Sequence, residues 1–287
     1  MPNTQIRLIR ADNPSPLTGT GTNTYLLGKG EIVVVDPGPD LDSHLSALLG
    51  QTKDERITNI LVTHAHLDHS ALTPRLAAAT GAKVWAYGEA NSGRSEIMCE
   101  LARQGLSGSE GADVDFVPDR PIADGTKLAF GDVEIEALHL PGHMGCHMGF
   151  ALGDDLFSGD HVMEWSTSLV SPPDGDMSDY MSSLRRLAAR PWSRMHPGHG
   201  PMVDQPAWRI KHLIQHRLDR EAAIIAFLVT LGAATPSTLA TRVYTDTPRR
   251  LLPVATRNVL AHLIDLTARG LVNHDPGPIA TATFRAN

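Results

Sequence analysis

Short apolar runs alternate with amphipathic stretches through the first 200 residues. Runs rich in β-branched and aromatic residues predict strands at 25–27, 32–35, 60–63, 83–86, 133–140, 149–152 and 155–157. Helical spacing predicts helices over 40–50, 73–80, 93–105 and 178–190. The stretches 24–36 and 126–140 read as hairpins, turning at Gly28-Lys29-Gly30 and at Gly131-Asp132. Hairpins mixed with strand–helix units imply an α/β architecture with two sheets rather than one doubly wound sheet.

Past Pro206 the pattern changes. Trp208, Ile210, Ile214, Leu218, Ala222 and Ile225 keep near-helical spacing to about Leu231. Thr235-Pro236 opens a short helix, with Thr as cap and Pro at the first position. Pro253 opens another through Val259, Leu263 and Leu266 to a Gly270 stop. Strands at 271–274 and 279–284 then flank the turn Asp275-Pro276-Gly277-Pro278. Three helices followed by a hairpin are the layout of a winged helix, so the expected division is 1–204 and 205–287.

Charge sharpens that division. The net charge is −7, yet residues 205–287 carry ten Lys+Arg against five Asp+Glu (+5), leaving −12 on residues 1–204. A basic tail raises the question of nucleic-acid binding. The longest wholly apolar run, 222–229, has eight residues, against roughly 20 needed to span a bilayer. No secretory pattern is visible in Met1–Arg7, and two cysteines are too few for a disulfide framework, so cytoplasm and no membrane partner are expected. Cys146 reads as a small buried hydrophobe rather than a thiolate ligand.

The candidate chemistry is concentrated in Thr63-His64-Ala65-His66-Leu67-Asp68-His69, directly after an apolar run. Three imidazoles and a carboxylate are costly to bury unless each finds a partner, and metal ions are the partners these donors suit. On extended chain His64 and His66 point the same way. Further donors recur where strands run into loops: His143 in Leu140-Pro141-Gly142-His143, Asp160 in Ser158-Gly159-Asp160-His161, and His199 in His196-Pro197-Gly198-His199-Gly200.

In this order and spacing, those phrases resemble the metallo-β-lactamase-fold hydrolases. The resemblance implies an αββα sandwich with a dinuclear, usually zinc, site. One ion would be held by His64, His66 and His143, the other by Asp68, His69 and His199, with Asp160 between them. A hydroxide bridging the metals would be the nucleophile, oriented by Asp68. Iron or manganese also suits the ligand set. Asp36 matches a position near the metals in that family, and equally suits a turn. His139, His147, His161 and His196 flank ligands and could orient their rings; His44, His212, His216, His262 and His274 read as ordinary surface or core residues.

The phrases Asp160-His161-Val162-Met163-Glu164-Trp165-Ser166-Thr167, Pro172-Pro173-Asp174-Gly175-Asp176-Met177 and His216-Arg217, with the winged-helix-like tail, are similar to the β-lactamase-like protein 2 subgroup. That subgroup includes an endoribonuclease acting on single-stranded RNA and members labelled hydroxyacylglutathione hydrolases. One departure follows His143, where many relatives place Thr or Ser and this chain has Met144.

Two reactions are therefore expected. In the first, single-stranded RNA is cut and Arg242, Arg249, Arg250 and Arg257 hold its backbone. In the second, a small acyl thioester or ester is hydrolysed, and the tail caps the site or builds a homodimer interface. The resemblance ranks β-lactam hydrolysis below both, because β-lactam-cleaving branches generally lack an acid at the position of Asp160. Specificity is expected in the loop 161–177, with Trp165, Ser166 and Arg217 as substrate contacts.

Overall fold

The computed structural model describes residues 4–108 and 111–287. The first three residues of the segment read above for a secretory pattern lie outside that range. The strands are β1 (Ile6–Arg10), β2 (Asn23–Leu27), β3 (Glu31–Val35), β4 (Arg56–Leu61), β5 (Lys83–Ala86), β6 (Arg120–Pro121), β7 (Lys127–Phe130), β8 (Val133–His139), β9 (Met148–Leu152), β10 (Asp155–Gly159), β11 (Arg194–Pro197), β12 (Val272–His274) and β13 (Phe284–Ala286). The helices are α1 (Asp42–Gln51), α2 (Leu67–Ser70), α3 (Thr73–Thr80), α4 (Glu96–Arg103), α5 (Met177–Ala188), α6 (Pro206–Leu231), α7 (Pro236–Val243) and α8 (Leu252–Ala268), with a 3-10 turn at Arg249–Leu251.

β1 to β6 form one sheet in sequence order, and β11-β10-β9-β8-β7 form the other. Strand alternation explains how they stack. Ile32 and Val34 pack with Leu48, Leu72 and Leu76 beneath α1 and α3. Val33 and Val35 point the opposite way and meet Val133, Ile135, Phe150 and Phe157 of the second sheet. The outer face of that sheet, through Leu138, Ala151 and Leu156, is covered by Tyr180, Leu184 and Leu187 of α5 and Ile210 and Leu213 of α6. This is the expected αββα sandwich. Burial on both faces accounts for the near-continuous apolar run of β3.

The C-terminal core joins Leu239, Val259, Leu263 and Phe284 with Ile224 and Leu228 of α6, and takes in Met98 and Leu101 of α4. Helix α6 therefore contributes its first half to one core and its second half to the other. The second wing strand forms at Phe284–Ala286 rather than 279–284. Residues 278–282 instead make turns, with Thr281 and Ala282 donating to Pro278 and Ile279. Among the described residues no helix is long and apolar enough to cross a membrane.

Candidate metal centre

Strands β8 and β10 both run antiparallel to β9, and β11 runs parallel to β10, so all three end on the same side. Their C-terminal exits deliver His143, Asp160 and His199, while the exit of β4 and the short α2 deliver His64, His66, Asp68 and His69. All seven side chains converge, as three groups with donor atoms within 4.8 Å: His64, His66 and His143; Asp68, His69 and His199; and Asp160 with His64 and His69.

In the first group Nε2 of His64 lies 2.9 Å from Nδ1 of His66, which lies 3.0 Å from Nε2 of His143. Nitrogen donors on one tetrahedral zinc ion stand about 3.3 Å apart at the usual bond lengths, so the spacing is slightly tight yet of the right order. In the second group Nε2 of His199 lies 3.2 Å from Nε2 of His69 and 3.1 Å from Oδ2 of Asp68. Asp160 faces both groups, Oδ1 lying 3.5 Å from His69 Nε2 and Oδ2 lying 3.4 Å from His199 and 3.8 Å from His143. Its Oδ1 is buried with no hydrogen-bond donor among the described residues. Imidazole lone pairs facing one another beside an unpaired carboxylate oxygen fit cations rather than protons.

The far nitrogens fix the tautomers. His143 Nδ1 donates to the Leu169 carbonyl at 2.6 Å, and His69 Nδ1 donates to Asp36 Oδ2 at 2.9 Å. Asp36 also accepts from the Thr63 amide at 2.7 Å and the Thr63 hydroxyl at 2.8 Å. With its proton on Asp36, Thr63 Oγ1 accepts from His64 Nδ1 at 2.9 Å. One buried carboxylate thus orders a ligand in each group. It does so with φ of 52°, a conformation that Asp tolerates better than most residues. Asp36 is therefore part of the centre and not merely a turn residue.

Electrostatics divides the cluster. Burial, reinforced by neighbouring histidines, holds His64 well below its ordinary pKa and brings His66 down to about 4. For His69 and His199 burial acts in the same direction, but carboxylates overcome it, raising His69 well above and His199 to about 9. The three aspartates thus draw positive charge into the site. Gly198 and Gly159 permit the close approach: a Cβ on Gly198 would lie 2.5 Å from His69 Cε1, and one on Gly159 2.7 Å from His147 Nε2.

Among the flanking histidines of the described residues, His147 alone hydrogen-bonds a ligand residue, accepting from the Asp160 amide at 3.2 Å. His139 instead bonds Gly145 and stacks on Tyr87, and His196 bonds Asp155. Cys146 lies in the core, where burial pushes its thiol up to about 11, and it belongs to none of the three donor groups.

A cavity of about 380 Å³ opens over the donors, lined by Ser15–Thr18 on one side and by Met163, Ser166 and Leu169 on another. Tyr244, Thr247, Leu251, Val254, Ala255 and Asn258 complete the wall from the C-terminal domain. A larger groove, about 1170 Å³, lies along β7–β9 and contains none of the seven donors. Ser166 lines the cavity. Trp165 is 41% exposed and packs over Gly19 and Gly200, outside the lining. Arg217 does not reach the cavity: it is 1% exposed, beneath the Tyr180 ring, and donates to Ser168 and Asn258. Arg257 is likewise committed, to Ser107, Ser171 and Pro172. Arg242, Arg249 and Arg250 are exposed.

Residues 17–199 match the family described as the metallo-beta-lactamase superfamily. The chain belongs to that superfamily. Residues 235–279 match the beta-lactamase associated winged helix domain. This superfamily member is 30% identical over 269 residues to a beta-lactamase-like protein 2 homolog of Drosophila melanogaster, covering 90% of this chain and 86% of the relative. It is 29% identical to an atrochrysone carboxyl ACP thioesterase of Aspergillus fumigatus, over 75% of this chain and 62% of that protein. A metallo-beta-lactamase family protein from Thermus thermophilus superposes with a TM-score of 0.78 at 25% identity, covering 98% of both chains. The protein is thus a metal-dependent hydrolase of this fold, with His/Asp clusters able to hold metal.

Proposed function

We propose that this superfamily member is a dinuclear zinc hydrolase that cleaves a thioester or ester of a small acyl substrate. The carrying observation is the cavity wall. Beyond the donors it carries Pro16, Leu17, Met163, Leu169, Leu251 and Val254 beside the uncharged polar groups of Ser15, Thr18, Ser166, Thr167, Tyr244, Thr247 and Asn258, and among the described residues neither Lys nor Arg lines it. An apolar acyl group gains from the apolar part of such a wall, whereas a nucleic-acid backbone is usually tracked by cations. Loss of Arg257 to the loop contacts weakens the RNA reading further. The thioesterase name of one relative supports the same class of reaction.

His64, His66 and His143 would hold one ion, and Asp68, His69 and His199 the other, with Asp160 shared. Such a pair supplies Lewis acidity and a water acidic enough to ionise near neutral pH. Asp68 lines the cavity. Burial opposes its ionisation, but His69 and His199 hold it well below the usual carboxylate range, so it remains an acceptor that orients a water proton. Asp36, through Thr63 and His69, holds a proton on the far nitrogens, so that Nε2 of His64 and of His69 would be the atoms offered to the metals.

The test is a parallel panel of acyl thioesters, single-stranded RNA, a lactone and a β-lactam on zinc-loaded protein. Thioester or ester hydrolysis that disappears with chelator and with His199→Ala is expected. RNA cleavage without acyl hydrolysis would overturn the reading. Elemental analysis should find close to two zinc ions per chain; a value near one contradicts the dinuclear site, and native iron or manganese contradicts zinc.

A further inference from the structure

We propose that Asn258 and Arg217 are positioning residues for the metal centre, and that the C-terminal domain holds His143 in place through the segment 168–170. The inference rests on the metal-site part of the functional reading, and not on its choice of substrate.

Residues 167–171 form neither helix nor strand, yet Ser168, Val170 and Ser171 are buried. Buried backbone polar groups outside regular structure must find side-chain or water partners. Here those partners come from two directions. From the metal site, His143 Nδ1 donates to the Leu169 carbonyl at 2.6 Å. From the C-terminal side, Arg217 Nη2 on α6 donates to the Ser168 carbonyl, and Asn258 Oδ1 on α8 accepts the Val170 amide at 3.0 Å. The carbonyl that orients His143 is therefore bracketed, one residue on each side, by groups anchored in α6 and α8.

The anchors are rigid and joined to each other. Arg217 Nη1 donates to Asn258 Oδ1 at 3.3 Å, and the guanidinium lies 5.1 Å from the Tyr180 ring centroid. Asn258 and Arg217 are 8% and 1% exposed, and Val259 and Leu260 beside Asn258 belong to the C-terminal core. Arg257 extends the clamp to Ser171 and Pro172. Without Asn258 the Val170 amide has no protein acceptor, the peptide between 169 and 170 is free to turn, and the Leu169 carbonyl swings off His143 Nδ1. The ring then loses both its tautomer bias and its aim.

The experiment measures zinc retention in a graded chelator competition, which needs no substrate. Asn258→Ala and Arg217→Met should each weaken binding of one ion, by about ten-fold, the low end for disturbing a partner of a metal-bound histidine. Asn258→Asp restores an acceptor oxygen and should return retention toward wild type. Leu239→Ala, in the C-terminal core but off this segment, should lower the melting temperature while leaving zinc affinity unchanged. Wild-type affinity in both Asn258→Ala and Arg217→Met would overturn the proposal. So would an equal loss in Leu239→Ala, because that would trace the effect to domain stability alone. RNA cleavage without acyl hydrolysis in the activity panel would overturn the acyl reading and leave this one standing.

Discussion

Replacing Asp36 with Asn changes one atom's chemistry and almost no volume, and its effect can be followed atom by atom. Oδ1 can still accept the Thr63 amide, now at 2.7 Å. Oδ2 becomes an amide nitrogen, a donor only, facing the Thr63 hydroxyl at 2.8 Å and His69 Nδ1 at 2.9 Å. Both partners must then accept where they had donated. His69 moves its proton to Nε2. The Thr63 hydroxyl turns toward His64 Nδ1, 2.9 Å away, and drives that ring's proton to Nε2 as well. Each protonated Nε2 is the atom that faces the metal position, so both ion sites suffer. Loss of such an orienting partner costs about 10–100-fold in metal affinity, or about 1.4–2.7 kcal/mol per ion. Metal-free stability should fall less, by about 1–2 kcal/mol, because hydrogen bonds are reversed rather than removed. Chelator competition measures the first quantity, and urea unfolding of metal-free protein measures the second. Unchanged affinity for both ions in Asp36→Asn would refute the argument that this carboxylate sets the tautomers.

Gly198→Ala places a methyl group 2.5 Å from His69 Cε1 and 2.7 Å from Asp160 Oδ1; a misplacement approaching 1 Å should cut turnover about 100-fold, checked by steady-state kinetics beside a metal assay. Removing metal by chelation should lower the melting temperature, since an ion present at 100 times its Kd contributes about 2.7 kcal/mol; an unchanged melting temperature would argue against a metal centre. His262 gives a pH prediction away from the metals. Burial first, then Arg217 and His216, lower it from 6.5 to about 3, and neither ring nitrogen has a hydrogen-bond partner among the described residues. The unfolded chain therefore takes up this proton first as pH falls, so stability is full above pH 6.5 and declines toward pH 3. The loss from this one group is about 2 kcal/mol at pH 5, and His262→Phe should unfold with a correspondingly flatter pH dependence in urea melts between pH 7.5 and 5.

The chain's own pattern was sufficient for an α/β unit with two sheets and for the winged helix because both are written in local periodicity; the αββα stacking came from the resemblance. The runs at 32–35 and 133–140 alternate between two cores, and Thr235-Pro236 caps α7 as its chemistry requires. The seven donors were legible for a related reason: each lies in the segment that follows a strand, with Gly or Pro shaping the exit for several of them. The misses are elements and roles that other parts of the chain create. Arg194–Pro197 has one apolar residue between Arg and His and becomes a strand only by pairing with β10, while Ile6–Arg10 becomes one by pairing with β2. Arg217 and Arg257 look in sequence like free cations on a basic tail, yet both are consumed by carbonyls of the loop 168–172.

The sequence by itself determined which donors exist and which elements present them, because ligand type and backbone periodicity are properties of neighbouring residues. The tertiary structure decided how closely those donors approach one another, which carboxylate orders them, and what wall surrounds them. His66 and His143 are 77 residues apart, and Asn258 reaches Val170 across 88. Contacts at such separations are set by how two sheets and a third core pack, and no local pattern encodes them.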